Sequence, residues 1–156
     1  MPIRLATAGD LPRVVEVSLA SFGPITWQRE VDRRFGPLHG HDWRERWRRR
    51  VEKAFAEQTI LVLEEEGRIL GYGCGTLDAA IGLGHIDILA VDPAAQGKGY
   101  GLLLLRAMEE HFLGRGANHV TLESLTDNDT ANALYRREGY QELARHINWF
   151  KKIERR

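Results

Sequence analysis

Three segments of the chain repeat apolar residues at the spacing of an amphipathic helix. Side chains three or four positions apart lie on one helix face, which can then pack on a core. The first helix is expected to begin after Asp10, a residue type that caps helix N-termini, with Pro12 tolerated in its first turn. The apolar positions of the three predicted helices are Val14, Val15, Val17, Leu19 and Phe22, then Trp43, Trp47, Val51 and Phe55, then Leu102, Leu105, Met108 and Phe112.

Compact apolar runs between these helices predict β-strands. Residues 59–63 and 69–77 are expected to form a hairpin, because a Glu-Glu-Gly-Arg turn separates them. A strand is also predicted at 3–5 and another at 85–91, which Pro93 would end because proline cannot donate to a ladder. The remaining predictions are a strand at 120–125, a helix at 130–138 and a closing hairpin at 140–152, whereas residues 23–40 receive no assignment.

The composition is that of an ordinary globular domain. With 156 residues, of which 43% are hydrophobic and 28% charged, the chain fits one domain over residues 1–156. Basic and acidic residues number 22 each, so the positive excess that phosphate neutralisation demands is missing. The one cysteine, Cys74, excludes an internal disulfide, and no apolar run approaches the roughly 18 residues of a membrane span. We expect an α/β or α+β fold with helices on both faces of a sheet and, without a signal-peptide pattern, a cytoplasmic location.

A glycine-rich segment, Gln-Gly-Lys-Gly-Tyr-Gly at residues 96–101, joins a predicted strand to a predicted helix. Glycine lets the backbone approach a ligand closely, and the first amides of a helix lack intrahelical partners and carry the positive end of its dipole. The pattern therefore indicates a phosphate or pyrophosphate site, with a plain tight turn as the alternative. Two nucleotide loops are disfavoured: Gly99 follows Lys98 where an ATP-binding loop needs Ser or Thr, and Leu102 stands where a dinucleotide fingerprint needs its third glycine.

Several motifs, in the same order along the chain, resemble the GNAT family of N-acetyltransferases. Gln96, Gly99 and Gly101 fill the defining places of that family's acyl-CoA loop, Gln/Arg-x-x-Gly-x-Gly/Ala. Asn128 and Tyr135 begin and end a stretch that resembles its Asn-x-x-Ala-x-x-Leu-Tyr signature. The other matching stretches are residues 3–11, 89–91 and 139–140.

The resemblance implies a fold and a co-substrate. The implied fold is GNAT-like: a mixed, mostly antiparallel sheet of six to seven strands with splayed central strands and about four helices on both faces. The implied co-substrate is acetyl-CoA, whose pantetheine arm would lie between the splayed strands while a backbone amide near Leu89 faces the thioester carbonyl. No metal is implied. The residues expected to hold acetyl-CoA are Leu89, Ala90, Val91, Gln96, Gly97, Lys98, Gly99, Tyr100, Gly101, Leu102, Asn128 and Tyr135.

Amine acetylation also needs groups that move protons. A thioester is attacked only by a neutral amine, so a base must take a proton, and the departing thiolate benefits from an acid. Tyr135 matches the family tyrosine near the CoA sulfur and is the implied acid, with packing between helix and sheet as its structural alternative. Glu123, predicted to lie within the fifth strand, ranks first as base, Asp87 second and His85 third. Because strand side chains alternate, Asp87 and His85 should share one face with Leu89.

The predicted function is an acetyl-CoA-dependent N-acetyltransferase acting by direct transfer in a ternary complex, since no convincing covalent nucleophile is present. Its acceptor is a primary amine, either a peptide or protein N-terminus or a small amine. The alternative is a catalytically silent acyl-CoA-binding regulatory module. A homodimer is a further expectation, because family members often dimerise through sheet edges or terminal strands. Neither a membrane nor a nucleic acid is an expected partner, although the basic segment 44–53 keeps an RNA surface or an acidic substrate as rival interpretations.

Two further features tempt a chemical interpretation that we do not adopt. His39 and His41 form a pair at metal-ligand spacing, but the sequence offers no third ligand nearby. Cys74 could be a nucleophile, yet it lies between glycines in a predicted strand. A small buried side chain is therefore the expected role of Cys74.

Overall fold

A computed structural model describes residues 2–155 and has a five-stranded sheet at its centre. The strands lie side by side in chain order: β1 (Ile3–Leu5), β2 (Thr59–Glu65), β3 (Arg68–Asp78), β4 (Leu83–Val91) and β5 (His119–Leu122). Neighbouring strands are antiparallel up to β4, whereas β5 runs parallel to β4. The predicted mixed, mostly antiparallel sheet is confirmed, with five strands in the described residues instead of six to seven.

Five α-helices pack around this sheet. They are α1 (Leu11–Phe22), α2 (Gln28–Phe35), α3 (Trp43–Glu57), α4 (Tyr100–Leu113) and α5 (Asp129–Arg137). One buried cluster joins α1 and α3 to one face of the sheet and includes Val17, Val51 and Tyr72. A second cluster joins α4 to the other face and includes Met108 and Phe112. Helices on both faces are therefore confirmed; within residues 2–155 none of them is long and apolar enough to cross a membrane.

Glycines in β3 allow α4 to pack close to the sheet. A Cβ atom built on Gly73 would lie 3.0 Å from the Met108 Cγ atom, and one on Gly75 would lie 3.0 Å from the Phe112 Cζ atom. Both distances are shorter than ordinary packing contacts between carbon atoms. The glycine-rich strand is thus a consequence of helix packing, not of ligand binding.

The helix α2 lies in the segment for which the sequence pattern gives no prediction. Val31 is its one buried residue among those described, so the apolar repeat of an amphipathic helix is missing. Polar contacts stabilise the helix instead. The Thr26 hydroxyl accepts from the Gln28 amide at its N-terminus (3.2 Å), and Glu30 pairs with the following arginines.

The chain after α5 corrects the predicted closing hairpin. Residues 140–155 contain no strand, and the ring of Phe150 lies 4.8 Å from the ring of Phe35 at the end of α2. Between Tyr140 and Lys152 the chain has no Gly, Pro or Asn-Gly pair, the residues that favour the tight turn of a hairpin. The large apolar side chains exposed along this segment are Leu143, Ile147, Trp149, Phe150 and Ile153.

Candidate active site

A cleft opens where β4 and β5 part. Their pairing ends at Ile86 and Leu122, yet β4 continues to Val91 while paired on its other edge with β3. Backbone groups of residues 87–91 on the β5 side therefore have no strand partner among the described residues. An extended chain with amide groups can pair with this free edge in the way that a strand would.

A β-bulge lies at the start of the free edge. Ile88 is opposite Cys74 and Ile86 is opposite Gly75, so Asp87 is the extra residue of β4. Ile86 belongs to the cluster under α4, whereas Ile88 belongs to the cluster under α1 and α3. The bulge interrupts the alternation of side chains at this position.

The expectation that Asp87 shares a face with Leu89 is therefore wrong. Leu89 packs against the cluster under α4. The Asp87 side chain instead contacts Arg50 in α3 and Gln58, the residue directly after α3. An alternating sequence pattern cannot reveal a bulge, because a residue is extra only in relation to the strand with which its own strand pairs.

Asp87 accepts two hydrogen bonds from the α3 region. Arg50 Nη2 donates to its Oδ1 atom (2.9 Å), and Gln58 Nε2 donates to its Oδ2 atom (2.9 Å). The Arg50 guanidinium also lies over the Trp47 ring, with its Cζ atom 4.7 Å from the ring centroid. The Asp87 side chain is 21% exposed, so it is partly shielded yet reachable.

Glu123 does not lie within a strand, because β5 ends at Leu122. Its side chain is 72% exposed, and its Oε2 atom is 3.9 Å from the Nε2 atom of His146. The expectation that Glu123 lies in the middle of a strand is wrong, because β4 and β5 part before this residue and leave it without a paired strand. His85, the third candidate, is half-buried in β4 opposite Thr76.

The glycine loop has the form of an anion cradle. Gly97 and Gly99 both have φ of +81°, a region that favours glycine, and a Cβ atom on either would meet nothing within 4 Å. Gly99 precedes the first turn of α4, where amides lack intrahelical partners. Exposed Lys98 adds a positive charge between the two glycines. The open space, free amides and charge suit a phosphate group.

Side-chain contacts hold both ends of the loop. Gln96 Nε2 donates to the Val91 carbonyl (3.2 Å), and the Tyr100 hydroxyl donates to Glu65 Oε2 in the β2–β3 turn region (2.6 Å). Before the loop, Asp92 accepts from the Ala94 amide (3.0 Å) and from Arg13 Nη2 (2.6 Å). The hydrogen bond from Ala94, helped by Arg13, lowers the pKa of Asp92 against the opposing effect of burial.

Tyr135 lies on α5 and packs against the cluster that also holds Leu89. Burial raises the pKa of the Tyr135 hydroxyl, which favours its protonated form. Its neighbour Leu134 approaches the glycine loop, because a Cβ on Gly101 would be 3.7 Å from Leu134 Cδ2. The half-buried Asn128 stands at the N-cap position of the same helix. The helix α5 thus connects the loop with the free edge of β4.

Three side chains that shape this region are not predicted from the sequence. Arg50 and Gln58 contact Asp87 from 37 and 29 positions away, and only the apolar stripe of α3 signalled that this helix would face the sheet. Asn132 donates to the Leu125 carbonyl (3.0 Å) and bonds with Ser124, which holds the loop between β5 and α5. Asn132 lies within the Asn128–Tyr135 motif, but at a position where the motif accepts any residue, so the motif does not single it out.

The Cys74 side chain has a structural role. Cys74 is fully buried, and burial raises the pKa of its thiol to about 12, so the thiolate form of a nucleophile is disfavoured. This agrees with the expected small buried residue. In the described part of the chain, no three His, Cys, Asp or Glu side chains cluster closely enough to hold a metal ion.

Comparisons with known proteins connect this geometry with a family. The family model described as "Acetyltransferase (GNAT) family" matches residues 26–140. The chain is 32% identical over 168 aligned residues to the S-(2-succino)cysteine N-acetyltransferase of Bacillus subtilis, covering 98% of this chain and 95% of that protein. It is 35% identical over 85 residues to the mycothiol acetyltransferase of Tsukamurella paurometabola, covering 54% of this chain and 29% of that protein.

Other relatives set the limits of these comparisons. This chain spans about half the length, or less, of three of the curated relatives it matches. The fold is similar to that of an aminoglycoside N-acetyltransferase solved in complex with CoA, with a TM-score of 0.69 and 14% identity over 97% of this chain and 94% of that chain. At that identity, the likeness concerns the fold alone. The family-model match over residues 26–140, together with the near full-length relative, shows that this chain belongs to the acetyltransferase (GNAT) family.

Proposed function

We propose that this protein is an acetyl-CoA-dependent N-acetyltransferase that acetylates a primary amine by direct transfer in a ternary complex. One observation carries the proposal: an open anion cradle at residues 97–101 follows directly on the free edge of β4. A molecule that joins a pyrophosphate to an extended amide-containing arm can occupy both at once. Acetyl-CoA has this form, and relatives of the chain bear the name acetyltransferase.

Each part of the site has a defined task in binding. The amides of Gly97 through Leu102 hold the pyrophosphate, assisted by Gln96 and Lys98 at the loop surface. The backbone of residues 89–91 pairs with the pantetheine amides, and an amide near Leu89 faces the thioester oxygen. Asn128 contacts the arm from the start of α5. Acetyl-CoA is a co-substrate that leaves as CoA, so no resident group is required.

Proton movement follows from the balance of the reaction. The acceptor ammonium gives one proton to a base, and its neutral nitrogen then forms a C–N bond to the carbonyl carbon while the C–S bond breaks. The sulfur leaves with the electron pair and takes a proton from Tyr135. The second amine proton, lost as the amide forms, restores the Tyr135 hydroxyl, so the overall reaction releases one proton.

Among the three base candidates, we place Asp87 first. It lies at the bulge, where the free edge begins, and is partly shielded from solvent. Glu123 lies beyond the end of β5 and is mostly exposed, which leaves it more strongly solvated. His85 precedes the bulge by two residues and remains available to relay a proton onward to solvent.

The acceptor class is supported by the near full-length relative. That protein is named for an S-substituted cysteine, which is a small amino acid with a primary amine. We therefore favour a small amine of the amino-acid type over a peptide or protein N-terminus as acceptor. Both remain within the reaction that the site can perform.

The test is release of CoA from acetyl-CoA in the presence of separate acceptor pools: amino acids and S-substituted cysteines, N-terminal peptides, polyamines and aminoglycosides. We expect turnover with the amino-acid pool and strongly reduced turnover for Tyr135→Phe. Binding of acetyl-CoA without turnover in any pool would contradict the proposal and favour an acyl-CoA-binding regulatory module. Calorimetry with acetyl-CoA measures the binding step by itself.

A further inference from the structure

Three polar side chains converge on the α3 side of β4. They are Arg50 in α3, Gln58 directly after α3, and Asp87 at the bulge. Arg50 and Gln58 each donate to a different oxygen of the Asp87 carboxylate, at 2.9 Å in both cases. The cluster therefore combines a cation, an anion and an amide beside the strand that carries the transfer site.

Arg50 has unused binding capacity. A guanidinium has five N–H donors, and the hydrogen bond recorded for Arg50 uses one of them, on Asp87. The side chain is 44% exposed and rests on the Trp47 ring, so it can turn toward solvent without leaving its aromatic support. An arginine in this state is well suited to bind a second carboxylate through two parallel hydrogen bonds.

The side-chain oxygen of Gln58 is a hydrogen-bond acceptor without a donor. Its Oε1 atom is buried and has no hydrogen-bond partner, while its Nε2 atom is used by Asp87. Turning the amide over would not cure this, because the carbonyl would then face the carboxylate. A buried acceptor without a donor is costly, and a ligand with several N–H groups would remove the cost. An ammonium group has three such donors and would also neutralise Asp87.

We propose that Arg50, Gln58 and Asp87 bind the two charged groups of a free α-amino acid acceptor. This inference rests on the proposed acetyltransferase function and specifies its substrate class. The carboxylate of the amino acid pairs with the Arg50 guanidinium. Its ammonium group then replaces Arg50 as the partner of Asp87 and donates a second hydrogen bond to Gln58 Oε1. An α-amino acid carries its carboxylate and its ammonium on one carbon, so it can contact Arg50 and Asp87 together once their direct ion pair (2.9 Å) opens.

The same geometry rejects an acceptor without a carboxylate. A peptide N-terminus carries a neutral carbonyl next to its amine, so Arg50 would stay on Asp87 and compete with the ammonium. A charge-assisted hydrogen bond contributes about 1.5–3 kcal/mol, which corresponds to roughly 10–100-fold in binding. The site is thus expected to select free amino acids over their amides and over peptides.

The experiment compares S-methylcysteine with its α-amide as acceptors for the intact protein with acetyl-CoA. We expect the wild type to prefer the acid by about 10–100-fold in kcat/KM. Arg50→Gln should lose that preference through a rise in KM for the acid, whereas kcat/KM for the amide should rise, because Arg50 no longer competes with the acceptor ammonium for Asp87. Arg50→Lys should recover part of the preference, because the positive charge remains while the planar fork is lost.

Arg49→Gln is the matched control, because Arg49 is the exposed neighbour of Arg50 on the same helix. It should keep the wild-type preference for the acid. Equal use of acid and amide by the wild type, or an equal loss on both acceptors in Arg50→Gln, would overturn the proposal.

A binding measurement separates this inference from the proposed function. Calorimetry with S-methylcysteine on the protein saturated with CoA should detect binding by the wild type and its loss in Arg50→Gln. Absence of binding by the wild type would overturn the inference, whatever the activity toward other amines. Binding by the wild type without acetyl transfer would overturn the proposed function alone.

Discussion

Burial suits the Tyr135 side chain to the role of proton donor that we propose for it. The packing that raises the pKa of its hydroxyl also keeps that hydroxyl protonated at neutral pH, as an acid must be before it acts. Asp87 has the opposite proposed role, that of a base, and its carboxylate accepts hydrogen bonds from Arg50 and Gln58. At the residue scale, the surroundings of each side chain support the role proposed for it.

Replacing Tyr135 with Phe removes the proposed proton donor and leaves the ring in place. We expect kcat to fall by about 100-fold, the lower end of general acid–base contributions, with an unchanged Kd for acetyl-CoA. Tyr140→Phe is the control, since the Tyr140 ring is 5.9 Å from the Tyr135 ring and its hydroxyl donates to Glu109 (2.7 Å). Steady-state kinetics and calorimetry give the two values. Equal effects in both variants would argue that Tyr135 only packs.

The choice of base is tested by three single variants, Asp87→Asn, Glu123→Gln and His85→Gln. We expect Asp87→Asn to lower kcat/KM by about 100-fold and to remove the acidic limb of its pH profile, because protonation of the base no longer matters. Glu123→Gln should change little, since this carboxylate is solvated beyond the end of β5. A lost acidic limb in Glu123→Gln, with a normal profile in Asp87→Asn, would reverse the assignment.

At the scale of elements, a strand, a loop and a helix together form the proposed binding surface for acetyl-CoA. β4 supplies the free edge, residues 97–101 supply the cradle, and α5 touches the cradle through Leu134. The glycines of β3 and those of the loop serve different purposes, which their contacts distinguish. Those of β3 make room for α4, whereas Gly97 and Gly99 border open space.

Filling the cradle should abolish acetyl-CoA binding. In Gly99→Glu a bulky negative group occupies the space for the pyrophosphate, so we expect affinity for acetyl-CoA to fall by at least about 100-fold, as a bound anion loses its partners. Gly116→Glu controls for backbone strain and charge, because Gly116 also has positive φ (+96°) and open space but lies after the far end of α4. Calorimetry should find the control unchanged. Unchanged affinity in Gly99→Glu would contradict the assigned cradle.

The close approach of β3 to β4 at the bulge gives a stability prediction. A Cβ on Gly75 would lie 2.2 Å from the His85 carbonyl oxygen, which is backbone and cannot move aside, so Gly75→Ala should lower the unfolding free energy by about 3 kcal/mol. Gly73→Ala is the milder comparison, because its nearest contact is the flexible Met108 side chain (3.0 Å). Urea unfolding monitored by circular dichroism measures both. Equal losses would mean that the bulge tolerates the added atom.

At the scale of the whole molecule, a few ion pairs join distant parts of the chain. Arg4 of β1 donates to Glu64 of β2 (2.9 Å) and to Asp10 before α1 (2.8 Å), so one guanidinium connects the first strand, its neighbour and the first helix. The hydrogen bond from Arg4, with a further one from the Thr7 amide, lowers the pKa of Asp10 to about 2 despite partial burial. The stability of the entire fold is therefore linked to this carboxylate.

The sign of that linkage gives a pH prediction. A carboxylate whose pKa is lower in the folded state stabilises the fold above its unfolded pKa, and the contribution disappears as pH falls toward the folded value. Asp10→Asn should thus lower the unfolding free energy at pH 7 by about 1–2 kcal/mol, allowing for the exposure of Arg4, with the difference shrinking between about pH 4 and pH 2. Thermal unfolding across this range measures it, with Asp127→Asn at an exposed position as control. A difference that stays constant with pH would refute the linkage.

The sequence by itself determined the features that short-range patterns encode. Helical spacing located α1, α3 and α4, apolar runs located β2 to β4, and the glycine segment with the Asn128–Tyr135 motif indicated the family and its anion site. These features depend on neighbours within a few positions, where period and backbone freedom leave a direct mark on residue type. The polar helix α2 was not predicted, because it lacks the apolar repeat of an amphipathic helix.

Only the tertiary structure decided how the candidate residues face one another. The bulge at Asp87 arises from the pairing of two strands, and it sends this carboxylate toward Arg50 and Gln58, which lie 37 and 29 positions away. The end of β5 before Glu123 and the absence of strands in residues 140–155 likewise depend on which edges find partners. Strand pairing and packing are contacts between distant segments, so no local pattern specifies them.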